Sequence, residues 1–149
     1  MKHKSPNTVT TTILMDTERK SVARAKAQIA RTTYQTIATS GNHSIVVDEP
    51  EELNGTDTGM GPFGLLLSSL GSCTVITLRM YIDRKMWVVD EIHIELEIFA
   101  VPDGHLIESK LSFKGDITPE QTERLLQIAD ACPIHKILAG NIIMETKIK

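Results

Sequence analysis

Two cysteines, Cys73 and Cys132, are the residues of this sequence best suited to nucleophilic or redox chemistry. They lie 59 residues apart, so only the fold can bring them together. Such a cysteine can be a buried residue that packs as a small hydrophobe, a metal ligand or a redox-active thiol. Two cysteines in a chain of 149 residues in a reducing compartment do not indicate a structural disulfide framework.

The two thiols have different local settings. Cys132 precedes Pro133 and lies where a short helix is expected to begin, so the positive end of the helix dipole would lower the pKa of its thiol. Cys73 lies about three turns inside a longer predicted helix, beyond the range of the terminal dipole. It needs a cation from a tertiary contact to become a thiolate. By local position alone, Cys132 is the thiol with the lower pKa.

A metal site is the first alternative for these residues. Cys132 and His135 have Cys-x-x-His spacing, which could supply two zinc ligands. Cys73 and one more histidine or acid would have to complete the site, and the candidates His43 and His93 lie on predicted hairpins that could point them outward. Because no second close-spaced ligand pair exists, the sequence predicts neither a metal nor another cofactor. The simpler interpretation of His135 is a solvated residue on the short helix.

Phosphate binding and serine hydrolysis have little support. Glycine-rich residues 55–64 precede the long predicted helix, a position that can bind phosphate. They lack the Lys-Ser/Thr pair of a P-loop and the G-x-G-x-x-G pattern that follows a strand. We expect these glycines to permit a tight entry into the helix. The chain also has no G-x-S-x-G nucleophile elbow.

The cysteine-bearing helix is predicted over Pro62–Arg84. Pro62 suits its first turn, and residues 63–78 carry no charge. Apolar residues fall on every face, which predicts a helix buried on all sides. The apolar run is shorter than the roughly 20 residues that span a bilayer, and charged residues follow it at once. We therefore expect a central core helix and no membrane span.

Alternating patterns and turn residues predict the other elements. The candidate strands cover residues 22–29, 33–38, 43–47, 90–100, 105–114 and 142–148. Thr118 is predicted to cap a helix that runs to about Ala131, and a short helix follows over residues 133–139. Antiparallel hairpins before and after one long helix indicate an α+β fold.

Size and charge limit the remaining possibilities. Residues 1–20 are polar and are predicted to form a tail or arm, and residues 21–149 a single domain. The net charge of −3 gives no reason to expect nucleic acid as a partner. Residues 5–12 are polar where a signal peptide would be apolar, so we expect a cytoplasmic protein.

Four stretches together resemble the OsmC/Ohr family of thiol peroxidases. They are Asp48-Glu49-Pro50 with Gly59-x-Gly61-Pro62, then Leu66-Leu67-x-x-Leu70-Gly71-x-Cys73-Thr74, and finally Cys132-Pro133-Ile134-His135-Lys136. The resemblance covers residues 22–148 and is to a less-studied branch of that family.

The resemblance implies a fold and a mechanism. The fold is an intertwined α+β homodimer, with antiparallel sheets around the buried central helix and two active sites across the dimer interface. Cys73 would be the peroxidatic cysteine that becomes a sulfenic acid on an organic hydroperoxide, and Cys132 the resolving cysteine that closes a disulfide. Arg31 matches the arginine that holds the thiolate in this family. A dithiol reductant, such as a lipoylated protein, would restore both thiols.

The chain departs from the family at the start of the long helix. Ohr-type members have a glutamate, paired with the arginine, where this chain has Phe63. Asp48 and Glu49 in the acidic loop are the candidates to replace it. The family role of Cys73 also opposes the dipole argument for Cys132. We follow the family, because the arginine and the pocket affect nucleophile choice as much as a helix end does.

Two rival hypotheses use the same fold. The first is a redox-sensitive stress-response binding protein whose cysteines turn over poorly, which Phe63 favours. The second is an inert dimer with buried thiols.

Overall fold

The computed structural model describes residues 19–148. Three strands come first, followed by a single turn of 3₁₀ helix, one long helix, two strands and two shorter helices. Apart from residues 19 and 20, the predicted N-terminal arm lies outside the described residues. The mixed architecture with antiparallel sheets confirms the predicted α+β class.

The first sheet is antiparallel with strand order β1-β2-β3. Its strands are β1 (Lys26–Ile29), β2 (Thr36–Ser40) and β3 (His43–Val47). Ser40 pairs with His43 across a tight turn in which Gly41 has φ 57°, a left-handed conformation that glycine adopts without steric cost. The predicted β2–β3 hairpin is therefore confirmed.

Strands β1 and β2 both begin three or more residues later than predicted. Ahead of β2 the chain turns, with Thr33 at φ 45° and the Gln35 N–H donating to the Thr32 carbonyl at 3.1 Å. Ahead of β1, the Ser40 hydroxyl donates to the Arg24 carbonyl at 2.9 Å in place of ladder pairing. The pairing of the two strands is thereby limited to four residues on each side.

The long helix is α1 (Pro62–Lys85), within one residue of its predicted bounds. It ends where Met86 takes up a left-handed conformation with φ 55°. It is also, among the described residues, the one helix that is long and apolar enough to cross a membrane, a property shared by core helices of soluble proteins.

The prediction that α1 is buried on every face is wrong for a single chain. Its buried residues lie on the side that meets β4, α2 and α3: Leu70, Gly71, Thr74, Leu78, Tyr81 and Ile82. Phe63 and Met80 are 66% and 68% exposed, and Ile76 is also largely exposed. Within residues 19–148, the elements packed on α1 cover one side of it and leave the other side apolar and open.

The second sheet is a long hairpin of β4 (Val89–Val101) and β5 (Gly104–Gly115). Ile92, Ile94 and Leu96 are partly buried on alternate positions, as the period of two predicts. The helix approaches this face closely at Gly71, where an added Cβ would lie 2.8 Å from Leu96 Cδ1. Lack of a side chain at this position therefore leaves room for the Leu96 side chain to pack against α1.

Two helices complete the described chain, α2 (Pro119–Ala129) and α3 (Pro133–Leu138). Thr118 caps α2 through a complete capping box with Gln121, as predicted. Fully buried Leu125 packs against Leu78 and Ile82 of α1 in the core.

The predicted final strand over residues 142–148 is wrong. These residues form no strand, and Ile143 and Met144 are largely exposed. Their alternating pattern is that of a strand, but within residues 19–148 no sheet edge pairs with them. An alternating pattern reports which side chains share a face, and it does not provide a partner strand.

Candidate active site

The two cysteines, far apart in sequence, are neighbours in the fold. Cys73 on α1 is half-buried, whereas Cys132 between α2 and α3 has 0% of its surface exposed. Both are free thiols, and they lie close enough for each to shift the pKa of the other. Two adjacent thiols, one of them reachable from solvent, are the arrangement that disulfide chemistry requires.

A break between two helices places Cys132 against α1. The Cys132 N–H donates to the Ala129 carbonyl at 3.1 Å, and its carbonyl accepts from the Lys136 N–H at 3.1 Å. Pro133 cannot continue α2, because it has no N–H, and it begins α3 instead. Leu125 and Ala129 hold the end of α2 in the core. The position of Cys132 is therefore fixed from both sides.

The surroundings of Cys132 favour its thiolate. Burial on its own would raise the pKa of this thiol, but donors around the sulfur outweigh burial and the pKa is lowered. These donors are the Cys73 thiol, the backbone N–H of His135, the Thr74 hydroxyl and the backbone N–H of Ile134. Neither amide completes a capping hydrogen bond of standard geometry. The direction of the shift is the one expected for a thiol at the start of α3.

Cys73 is shifted the opposite way. Burial raises the pKa of its thiol, and the thiol's interaction with the Cys132 sulfur raises it further. The Ile134 N–H and the Thr77 hydroxyl offset this rise only in part. Within one chain, Cys132 thus has the lower pKa of the two thiols.

Arg31, the predicted thiolate partner, makes no interaction with the pair among the described residues. It is exposed in the bend between β1 and β2, and within residues 19–148 it forms no hydrogen bond or ion pair with either cysteine. Arg79 of α1 is engaged elsewhere, since its guanidinium donates to the Val89 carbonyl at 2.8 Å. The described part of one chain therefore brings no arginine to Cys73.

Asp48, a predicted supporting acid, organises the loop that leads into α1. It is 1% exposed, and its Oδ2 accepts from the Thr58 hydroxyl at 2.8 Å, the Thr58 N–H at 3.2 Å, the Thr56 N–H at 3.2 Å and the Thr56 hydroxyl. Its Oδ1 accepts from the Glu49 N–H at 2.8 Å. These bonds hold the pKa of Asp48 far below its ordinary value despite burial, and the bond from the Thr56 hydroxyl contributes most. All of these donors belong to the loop itself, which identifies a structural role for this carboxylate.

The glycine-rich segment packs on this loop and on β3. A Cβ on Gly55 would overlap the Glu49 carbonyl, and a Cβ on Gly59 would come within 2.4 Å of the Val46 carbonyl oxygen. Met60 then forms a parallel bridge with Val47 just before α1 begins. The glycines serve close backbone packing at the helix entry, as predicted.

Glu49 and Phe63 lie near the start of α1. The Glu49 carboxylate reaches within 4.0 Å of the position a Cβ would take on Gly61, and the Phe63 ring is mostly exposed. Neither side chain forms a polar contact with Cys73 or Cys132 in the described chain.

Several residues of the site were not found from the sequence. Thr74 hydrogen-bonds to the Cys132 thiol and Thr77 to the Cys73 thiol. Their places in the sequence, directly after Cys73 and one turn later on the same helix, could have identified them. The backbone amides of Ile134 and His135 could not have been identified from the sequence, because their contribution does not depend on residue type. Backbone groups contribute through their position alone, so a pattern of residue types does not single them out.

A cavity lies beside residues that surround Cys132. It has a volume of about 310 Å³ and includes Thr74 and His135, which both contact Cys132, together with apolar side chains: Leu70, Ile94, Ile107, Leu111 and Leu126. His135 is half-buried, and its Nδ1 lies 3.8 Å from the Asp130 carboxylate. Between residues 19 and 148, no three His, Cys, Asp or Glu side chains come together in a way that could hold a metal ion.

Comparison with known proteins agrees with this architecture. The model of a family described as OsmC-like protein matches residues 55–147. None of the curated proteins matches the sequence.

Solved structures share the fold. An OsmC-like protein from Mycoplasma pneumoniae is 20% identical, with a TM-score of 0.67 over 83% of this chain and 89% of that one. The organic hydroperoxide resistance protein OhrB of Bacillus subtilis is 22% identical, with a TM-score of 0.56 over 81% and 93%. An organic hydroperoxide resistance protein OsmC from Legionella pneumophila is 20% identical, with a TM-score of 0.60 over 82% and 93%.

Proposed function

The chain belongs to the OsmC-like protein family, and on this premise we propose that it is a thiol peroxidase that reduces small organic hydroperoxides. The observation that carries the proposal is the proximity of half-buried Cys73 and buried Cys132, whose thiols shift each other's pKa. In this pair Cys73 is the sulfur that an oxidant can reach. Related solved structures that are named organic hydroperoxide resistance proteins support the choice of substrate.

The proposed cycle begins with Cys73. Its thiolate attacks the distal oxygen of a hydroperoxide, forming an S–O bond as the O–O bond breaks, and the alkoxide takes a proton to leave as the alcohol. The Cys132 thiolate then attacks the sulfenic sulfur and releases hydroxide, which closes the Cys73–Cys132 disulfide. Because the donors around Cys132 lower the pKa of its thiol, they favour the thiolate that this second step uses.

The first step requires a cation that favours the Cys73 thiolate. We assign this role to Arg31 of a second copy of the chain, with Glu49 as the supporting acid in preference to Asp48, whose oxygens are already bonded. The open apolar side of α1, which includes Phe63 and Met80, supports a homodimer that would cover it. A dithiol then reduces the disulfide, and no nucleic acid or membrane takes part in this proposed cytoplasmic cycle.

A second candidate function is a redox-sensitive binding protein with weak turnover. The raised pKa of Cys73, caused by burial and by the Cys132 sulfur, favours it, because little Cys73 thiolate would form without a cation. Phe63 in place of the family's glutamate points the same way.

Hydroperoxide consumption separates the two candidates. With tert-butyl hydroperoxide and dithiothreitol, we expect steady turnover and, without dithiothreitol, loss of two thiols per chain. Cys73→Ser should fall to the background rate. Cys132→Ser should react once and accumulate a Cys73 sulfenic acid that dimedone traps. Ser72→Ala, an exposed neighbour on α1, is the matched control.

Two results would contradict the proposal. Loss of both thiols in the wild type without turnover would favour the binding protein. Fast reaction of Cys73→Ser, together with an inert Cys132→Ser, would show that the two cysteines have the opposite roles.

A further inference from the structure

Three cations converge on one aromatic ring at the end of α1. Arg84 Cζ lies 5.4 Å from the centroid of the Tyr81 ring, and Lys85 Nζ and Arg124 Cζ each lie 5.8 Å from it. Arg124 Nε also donates to the Tyr81 hydroxyl at 3.1 Å. This hydrogen bond and the neighbouring cations lower the pKa of Tyr81, which reports a positive local field. We call Arg84, Lys85 and Arg124 the basic surface.

The basic surface is not neutralised by the described chain. None of the ion pairs formed within residues 19–148 includes its three side chains. The adjacent Asp83 faces Arg79 instead, at 3.7 Å. In a protein whose net charge is −3, three neighbouring unpaired cations form a local surface of the opposite sign.

Exposed apolar side chains border the basic surface. Met86, which ends α1 in a left-handed conformation, and Val88 are both strongly exposed. Trp87 packs edge-on against Tyr81, with 5.6 Å between ring centroids. Arginine, methionine and aromatic side chains together are the composition that protein interfaces favour.

We propose that the basic surface docks an acidic protein that carries the reducing dithiol. This proposal rests on the proposed function, which needs such a reductant in every cycle. Tyr81 follows Cys73 by eight residues on the same helix, which is about 12 Å along the axis. A dithiol on a long flexible arm can cross this distance while its carrier stays docked. Charge complementarity speeds encounter and orients the carrier.

The transfer balances as a thiol–disulfide exchange. One thiolate of the carrier attacks a sulfur of the Cys73–Cys132 disulfide and forms a mixed disulfide, and its second thiolate then displaces the remaining protein sulfur. Two electrons and two protons pass from the carrier dithiol to the two cysteines. The carrier leaves with its own disulfide closed.

Kinetics with two reductants test the docking surface. We would compare a reduced acidic lipoyl domain with free dihydrolipoamide, which has the same dithiol and no protein surface. The double variant Arg84→Glu/Lys85→Glu should raise the KM for the lipoyl domain about tenfold and remove its salt dependence. Turnover with free dihydrolipoamide should not change. Lys110→Glu, an exposed charge reversal on β5, is the control, and Arg84→Gln/Lys85→Gln is the milder variant should the glutamates disturb the end of the helix.

Trp87 provides a readout that does not depend on peroxidase activity. It is the single tryptophan of the sequence, so its fluorescence should change on titration with the lipoyl domain and respond less in the Arg84→Glu/Lys85→Glu variant. An unchanged KM and an unchanged titration would overturn the docking proposal. So would an equal loss of turnover with both reductants, or preferential binding of a single-stranded oligonucleotide to this surface. Failure of the wild type to turn over with dithiothreitol would instead count against the proposed function.

Discussion

At the scale of single residues, the more exposed cysteine and the cysteine with the lower pKa are different residues. Cys73 is the sulfur that solvent reaches, whereas Cys132 is buried among donors that stabilise its negative charge. An oxidant therefore meets the less ionised thiol first. Activation of Cys73 must come from a group outside its own helix, which is the reason for assigning Arg31 of a second copy to this step.

The pairing of the cysteines was predictable only through the family resemblance. Their spacing of 59 residues carries no contact information, and nothing local to Cys73 points to Cys132. The direction of the Cys132 pKa shift was predicted from its position at the start of α3, but the largest lowering contribution, from the Cys73 thiol, was not. The bonding of Asp48 could not be predicted, because Thr56 and Thr58 become its partners only when the loop closes.

Replacing Asp48 tests the role of the loop. In Asp48→Asn the amide nitrogen would face N–H and O–H donors, so we expect a lower urea midpoint at pH 7. The folded pKa of Asp48 lies well below its ordinary value of 3.8. Its contribution to stability is therefore complete above about pH 4 and is lost as the pH falls toward the folded value. The variant should lose less stability than the wild type between pH 5 and pH 2.

Glu49→Gln is the matched control for this prediction, because its carboxylate forms no hydrogen bond or ion pair within the described chain. Identical urea midpoints of Asp48→Asn and the wild type at pH 7, with equal losses of stability between pH 5 and pH 2, would contradict the structural role of Asp48.

At the scale of elements, the prediction was most accurate where pattern and partner coincide. The long helix, the β4–β5 hairpin and the capped α2 all follow from sequence pattern and capping residues, and each has a packing partner for one of its faces. The segment 142–148 has an equally clear alternation and forms no strand. Local pattern alone cannot show whether a sheet edge is available to it.

Gly71 leaves room for side chains of the hairpin to pack against α1. In Gly71→Val, the new side chain would meet Leu96 Cδ1 and Ile94 Cγ2, and overpacking of this kind costs about 1–3 kcal/mol. That cost exceeds the gain of a few tenths in helix propensity. Ser72→Val places the same side chain one position along on an exposed face and is the control. Equal unfolding free energies for the two variants in urea would contradict the prediction.

At the scale of the whole molecule, the described residues of one chain leave several large apolar side chains exposed. Phe63, Ile76 and Met80 on α1 and Ile37 and Ile45 in the first sheet are all exposed. Surface of this kind on a well-formed fold indicates an unfilled protein interface. The proposed homodimer would also bring in the arginine that the described part of one chain does not place beside Cys73.

A charge on the open side of α1 tests the homodimer. Met80→Glu should weaken self-association, since a carboxylate buried without a partner is strongly unfavourable. Light scattering at micromolar concentration should give the mass of two chains for the wild type and a lower mass for the variant. Ser112→Glu, on the exposed face of β5, should behave as the wild type. A monomeric wild type at that concentration would contradict the homodimer. It would also contradict the assignment of Arg31 from a second copy of the chain to Cys73.

The exposed methionine on α1 has a consequence for a protein that meets hydroperoxides. The exposed Met80 thioether can itself be oxidised to a polar sulfoxide. This would place a polar group on the open side of α1 and weaken self-association, as we expect for Met80→Glu. Assembly would shield this sulfur, whereas dilution would expose it. Oxidation of Met80 should therefore begin in separated chains and then prevent them from reassociating. Mass spectrometry of the Met80 peptide would measure the oxidation, and light scattering would measure the loss of association.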